Sequence, residues 1–285
     1  MWIIYAFGSA LFAGITAILV KAGMCTADSS LATAIRTIVV LIFAWIMVFI
    51  TGSQSSLGTV DARTFMFLAL SGLATGASWL CCFKAMQLGD VNKVTPVDKS
   101  SVALTMLLAF IILGEPLTLL GGAALMLILA GTLLMIQKKE TDAKKTDRRW
   151  LFYAVLSAVF AALTSILGKI GIQNVESNLG TAIRTVVVLV MAWLIVFARG
   201  KQSGIKAIDR KSWLFLLLSG VATGASWLCY YHALQQGPAS VVAPIDKLSI
   251  VLTVAFAYFF LGEKLTKKAL AGLAMIVAGT LMLLM

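Results

Sequence analysis

Charge is scarce in this chain. Only 12% of its 285 residues are Asp, Glu, Lys or Arg, against about 25% in an ordinary soluble domain. Histidine occurs once, as His232, and the 4 cysteines (Cys25, Cys81, Cys82, Cys229) form no C-x-x-C pair. A metal site is therefore not expected, and the cysteines read as small apolar residues. Paired carboxylates and a nucleophile beside a base, which covalent catalysis needs, are missing too. So is G-x-x-x-x-G-K-[ST], the loop that cradles nucleotide phosphates, which speaks against ATP-driven work by this chain alone. No enzyme activity, cofactor or metal is expected.

What the chain has is apolar surface. Hydrophobic residues make up 60% and mean hydropathy is +0.98, more than any soluble core needs, so the class is an integral membrane protein. The first apolar run starts at Met1 and passes Leu19 without an A-x-A-like site. It reads as a transmembrane helix, not a removable signal. Further apolar stretches make ten in all: 2–22, 31–50, 65–88, 94–113, 117–136, 150–170, 179–198, 213–235, 241–261 and 265–285. Each approaches the ~20 residues that cross a ~30 Å hydrocarbon core as a helix. Backbone at that depth must satisfy its own hydrogen bonds, which favours helices. The alternating ~10-residue segments of a membrane β-barrel are not seen. A net charge of +11 reads as loop charge that orients the chain in the bilayer, not as a nucleic-acid surface.

The chain repeats itself. TAIRT begins at 33 and again at 181, a shift of 148, and the same ungapped shift takes Tyr5 to Tyr153, Pro96 to Pro244, Asp98 to Asp246 and Gly114-Glu115 to Gly262-Glu263. Such a match implies two homologous units: residues 1–136 and 150–285, each with five spans, joined by the basic linker 137–149. An odd number of spans turns the second copy over, so the expected fold is all-α, with ten transmembrane helices as two inverted five-helix repeats. Loop charge agrees. Loop 199–211 carries Arg199, Lys201, Lys206, Arg210 and Lys211, whereas 51–63 carries only Arg63; Lys264, Lys267 and Lys268 stand against Pro116, Leu119 and Leu120. The positive-inside rule then puts the linker in the cytoplasm and both termini outside.

Ionisable residues inside spans are costly and are the first site candidates: Arg36, Lys84, Asp98 and Lys99, with Arg184, His232, Asp246 and Lys247 at the matching positions. Asp98 and Asp246 have two readings. They bind a cation or proton midway along a pathway, or they sit near the membrane surface at helix starts marked by Pro96 and Pro244. Lys99 and Lys247, each next in sequence, point elsewhere on a helix and do not simply neutralise them. Arg36 and Arg184 either snorkel to the headgroups or meet an anion in a cavity. His232 reads as an interfacial or hydrogen-bonded residue.

One string occurs twice with a single change: LSGLATGASWLC at 70–81 and LSGVATGASWLC at 218–229. Gly72-x-x-x-Gly76 and Gly220-x-x-x-Gly224 permit close helix approach. Thr75, Ser78 and Trp79, with Thr223, Ser226 and Trp227, add hydroxyls and a ring too deep for the interfacial aromatic belt. They suit either packing alone or the wall of a cavity for a small amphipathic substrate.

AFIILGEPLT (109–118) and AYFFLGEKLT (257–266), with AGTLLM (130–135) and AGTLML (278–283), resemble the fourth-helix ending and closing helix of the EamA family of the drug/metabolite transporter superfamily. The resemblance covers both halves. It implies four helices of each repeat around a central cavity with the fifth outside, and alternating access in a bacterial inner membrane. The implied activity is efflux or exchange of small metabolites, amino acids or drugs. The halves also resemble half-length members thought to act as antiparallel pairs, so one chain would suffice. The expected function is a secondary transporter, an exporter coupled to protons. Its alternatives are a flippase for lipid-linked sugars and a non-transporting membrane subunit.

Overall fold

The computed structural model describes residues 1–23, 28–88, 94, 97–98, 100–116, 118–135, 149–261 and 266–285. Among the described residues the chain is helical, without strands. The helices are α1 (Trp2–Gly23), α2 (Ser29–Ile50), α3 (Ala62–Leu88), α4 (Ser101–Leu113), α5 (Leu119–Leu134), α6 (Arg149–Ile172), α7 (Ser177–Ala198), α8 (Arg210–Gln236), α9 (Ala239–Asp246), α10 (Ser249–Leu261) and α11 (Lys267–Met282). Every apolar stretch of the sequence carries a helix, and the ninth carries two. Among the described residues, seven segments are long and apolar enough to cross a membrane, the last running from Ala239 to Phe256 through α9 and α10; α4 and α5 are shorter apolar helices. Large apolar side chains, among them Ile4, Ile50, Ile111, Phe152 and Phe259, point outward. That much exposed hydrocarbon is the surface of a protein solvated by lipid.

Helix ends are set by the same residue types at matching positions. Asp28 accepts the Ser30 N–H at the start of α2, and Glu176 accepts the Leu179 N–H at the start of α7. Asp61 and Asp209 do the same for α3 and α8, and Thr118 and Thr266 for α5 and α11. Each satisfies an N–H that the helix leaves unpaired. Gly114 ends α4 in the left-handed region, φ +66°, a conformation that costs glycine nothing. In LGEPLT, the glycine thus stops one helix and the threonine starts the next.

The principal helix packing runs between the halves. α3 lies on α6 and α1 on α8, α2 packs on α7, and α5 packs on α11. Under the shift of 148 the first two pairings exchange, and the last two map onto themselves. The halves therefore share one core and do not form separate ones.

The ninth span departs from the sequence reading of one continuous helix. Pro244 lies inside α9 and not at a helix start, and it brings no N–H to the ladder. At the break the chain tightens into three-residue turns, with Lys247 N–H on Pro244 O and Leu248 N–H on Ile245 O. Asp246 closes the first segment as the eighth residue of the span that begins at Ala239. The reading that puts Asp246 at a helix start marked by Pro244 is thereby corrected: it stands at the end of α9.

Candidate substrate cavity

The repeated string has three faces. Its glycines meet the second or seventh span across the halves: Gly72 and Gly76 lie on Val187 and Met191 of α7, and Gly220 and Gly224 on Val39 and Phe43 of α2. Its hydroxyls meet the first or sixth. Ser78 donates to Ser157 O (3.1 Å) and Ser226 to Ser9 O (3.1 Å). Thr75 pairs with Thr164 and Thr223 with Thr16, each at 3.3 Å. Trp79 and Trp227 face a cavity of about 310 Å³, so packing and cavity wall both apply, on different faces of one helix.

Those serines reach the candidate acids. Ser9 donates to Asp246 Oδ1 at 2.6 Å, and Ser157 donates to Asp98 Oδ1 at 2.8 Å. Each acid is thus held by a serine of the opposite half. Asp246 lines the cavity, with Lys247 Nζ 3.7 Å from its Oδ2. The adjacent pair does interact, contrary to the helix-geometry argument, because the helix breaks between them.

Of the residues singled out in the sequence, the cavity wall takes Thr75, Ser78, Trp79, Arg184, Ser226, Trp227, Asp246 and Lys247. Asp98, Arg36 and Thr223 are not part of that wall. Arg36 is partly buried, and Thr223 is buried with its hydroxyl on Ser219 O. Lys99, Pro96, Glu263, Cys25 and linker residues 137–148 lie outside the described residues. Lys84 is exposed. His232 is hydrogen-bonded to Ser177 Oγ at 3.1 Å and to Gln236, and it packs on Tyr5.

Arg184 does not snorkel. It is 2% exposed, its Nε donates to Ser71 Oγ at 3.0 Å and its Nη2 to Thr75 Oγ1. The guanidinium lies over the rings of Trp227 (5.1 Å) and Tyr231 (4.7 Å). The sequence reading missed Tyr230, Tyr231, Thr164 and Ser165, all on the cavity wall. Tyr230 and Tyr231 follow Trp227 by three and four residues on one helix, the spacing that shares a face. Their first-half counterparts are Cys82 and Phe83, so the two hydroxyls make the site asymmetric.

Glu115 of the repeated L-G-E motif reaches across the halves. Its carboxylate accepts the N–H of Ala239 (2.6 Å) and of Ser240 (2.8 Å), the first two residues of α9. A carboxylate on a helix N-terminus is favoured by the dipole. On the other side of the same turn, Lys169 donates to the carbonyls of Leu234 and Gly237 at the end of α8. The α8–α9 corner is clamped by one charge of each sign, and it sets where α9 delivers Asp246. A larger cleft, about 530 Å³, opens beside this clamp between Arg63, Glu115, Lys169 and Gln173.

A family model described as "EamA-like transporter family" matches this chain twice, over residues 1–137 and 148–285. The chain belongs to the EamA-like transporter family. It carries two EamA repeats in tandem and is a multi-pass protein of the cell membrane. An uncharacterized transporter of Sinorhizobium sp, encoded in a cobO 3' region, is 51% identical over 137 residues, covering 48% of this chain and 97% of that protein. The pseudopaline exporter CntI of Pseudomonas aeruginosa is 25% identical over 129 residues, 45% of each chain. A solved crystal structure superposes with a TM-score of 0.81 over 98% of this chain and 95% of that one at 14% identity, a likeness of fold alone. The family and the names of these relatives point to transport, not catalysis.

Proposed function

We propose that this EamA protein is a proton-coupled secondary exporter of a small metabolite, amino acid or drug. It works by alternating access of two inverted five-helix repeats, residues 1–136 and 150–285, that make ten membrane crossings. The linker lies in the cytoplasm and the termini outside. The observation that carries the reading is the pair of acids. Asp246 ends a broken helix inside a span, beside the cavity, and is held by Ser9 of the other repeat; Asp98 is held in the same way by Ser157. A broken helix at depth is where transporters expose backbone and side-chain groups to a substrate or coupling ion. A carboxylate gripped from the opposite repeat changes its partners whenever the repeats rock past one another. The cavity, at about 310 Å³, matches the lower range of small-molecule sites. It favours this reading over a non-transporting subunit and is small for a lipid-linked sugar.

The test is uptake into proteoliposomes under an imposed pH gradient, with the wild-type chain and with Asp98→Asn plus Asp246→Asn. Loss of gradient-driven uptake in the folded double variant is expected. Retention of full coupling sinks the proton role.

A further inference from the structure

Among the described residues that line the cavity, and with Asp246 deprotonated, charge accounting leaves one surplus. Asp246 carries one negative charge and Lys247, 3.7 Å away, one positive charge. Arg184 adds a second positive charge, and everything that holds it is neutral: the Ser71 and Thr75 hydroxyls and the rings of Trp227 and Tyr231. Arginine cannot shed its proton to relieve the burial. Its third nitrogen, Nη1, is buried and has no hydrogen-bond partner among the described residues. A buried charge without a counter-charge and a buried N–H without an acceptor are both costly. A ligand carrying a negative charge and a free acceptor would relieve both at once.

We propose that Arg184 anchors the carboxylate of the substrate, a small organic anion of single charge that accepts from Nη1 and lays its body between Trp79 and Trp227. The inference rests on the transport reading above and names the substrate class. A single surplus charge matches a monoanion. A guanidinium edge matches the planar carboxylate. Ser165 and Tyr230, whose hydroxyls bond each other at 2.9 Å on the same wall, leave one further O–H donor between them. The volume equals that of about ten water molecules, room for a carboxylate on a short apolar or aromatic body. The anchor belongs to one repeat only. Arg36, its counterpart, is off the cavity wall, and the shift of 148 matches Trp227 and Tyr231 to Trp79 and Phe83, so the tyrosine hydroxyl has no equivalent in the first repeat.

The experiment is binding, read by isothermal titration and by thermal shift on the purified full chain in lipid nanodiscs. Its probes are matched acids and amides: phenylacetate with phenylacetamide, isovalerate with isovaleramide, and phenylalanine with phenylalaninamide. Phenethylamine and inorganic phosphate are added as controls. The acid of at least one pair should bind about tenfold or more tightly than its amide, the scale of one charge-assisted hydrogen bond. Arg184→Gln should abolish that preference, and Arg184→Lys should keep part of it. The wild-type comparison stands without either variant if they fail to fold. Amides equal to acids, preference for the amine, equal competition by phosphate, or no response to any acid up to its solubility limit would each overturn the proposal. Binding is read without transport. A chain that binds the acid but moves nothing in proteoliposomes leaves the anchor standing and removes the transport reading.

Discussion

Adding one methyl group separates the packing role of the repeated string from every other role. A Cβ built at Gly72 would stand 2.8 Å from Val187 Cβ and 3.1 Å from Arg184 O; at Gly220 it would stand 2.6 Å from Val39 Cβ and 3.2 Å from Arg36 O. The obstacles are a β-branched carbon and backbone, neither of which rotates away. At Gly122, within α5, nothing lies within 4 Å. Alanine is worth about 1 kcal/mol over glycine inside a helix, whereas overpacking costs about 1–3 kcal/mol. Gly122→Ala should therefore be neutral or stabilising by up to about 1 kcal/mol. Gly72→Ala and Gly220→Ala should each lose about 1–2 kcal/mol net as α7 or α2 is pushed off its neighbour. The assay is reversible unfolding in mixed micelles titrated with a denaturing detergent, the three variants side by side. Gly72→Ala also moves the turn that carries Arg184, so ligand binding should suffer more in it than in Gly220→Ala. Equal stability of all three would refute the close-approach argument, and with it the claim that the string sets the spacing of the helices around the cavity.

Glu115→Gln keeps the shape of the α9 cap but removes its charge; a stability loss of about 1 kcal/mol is expected by thermal unfolding, and about 2 kcal/mol for Glu115→Ala. Lys169→Met frees the carbonyls of Leu234 and Gly237 and should cost about 1–3 kcal/mol by the same assay. The Glu115/Lys169 double variant should lose less than the sum, because both grip one corner. Ser9→Ala removes the donor to Asp246 and should lower gradient-driven uptake while costing at most about 1 kcal/mol of stability. An unchanged pH dependence of uptake in that variant would argue that Ser9 does not position the acid.

The helices were legible because membrane spans announce themselves by length and composition, and the repeat was legible because it runs without a gap. The cavity half-showed itself: Trp79 and Trp227 betrayed their role by being too deep for the interface. Tyr230 and Tyr231 did not, since they are uncharged and stand where the two copies differ, opposite Cys82 and Phe83. The snorkelling alternative for Arg184 was a one-helix argument. Its position six residues into an apolar stretch says nothing of Ser71 and Thr75, which come from another helix and hold the guanidinium inside. The break at Asp246 was hidden for a related reason: proline begins helices more often than it interrupts them, and only the Pro238 corner, held by Glu115 from the other repeat, makes Ala239 the start. For Arg184 and for the break at Asp246, what the sequence could not reveal was a partner more than a hundred residues away.

The cross-repeat grips form a chain with a mechanical consequence. Glu115, from the first repeat, holds the beginning of α9; Ser9, from the same repeat, holds Asp246 at its end. α9 itself belongs to the second repeat and is 8 residues long, too short to bend far, with Pro244 inside it and a three-residue turn below it that already lack part of the helical ladder. Rocking one repeat against the other must then either carry α9 with the first repeat, flexing the chain at Lys247–Leu248, or break one of the two grips. In either case Asp246 is the residue whose surroundings change, and Arg184, bonded to Ser71 and Thr75 of the first repeat while riding on α7 of the second, is strained by the same motion. Under the proton-coupled mechanism proposed above, a ligand on Arg184 and a proton on Asp246 would each bear on a contact that joins the two repeats.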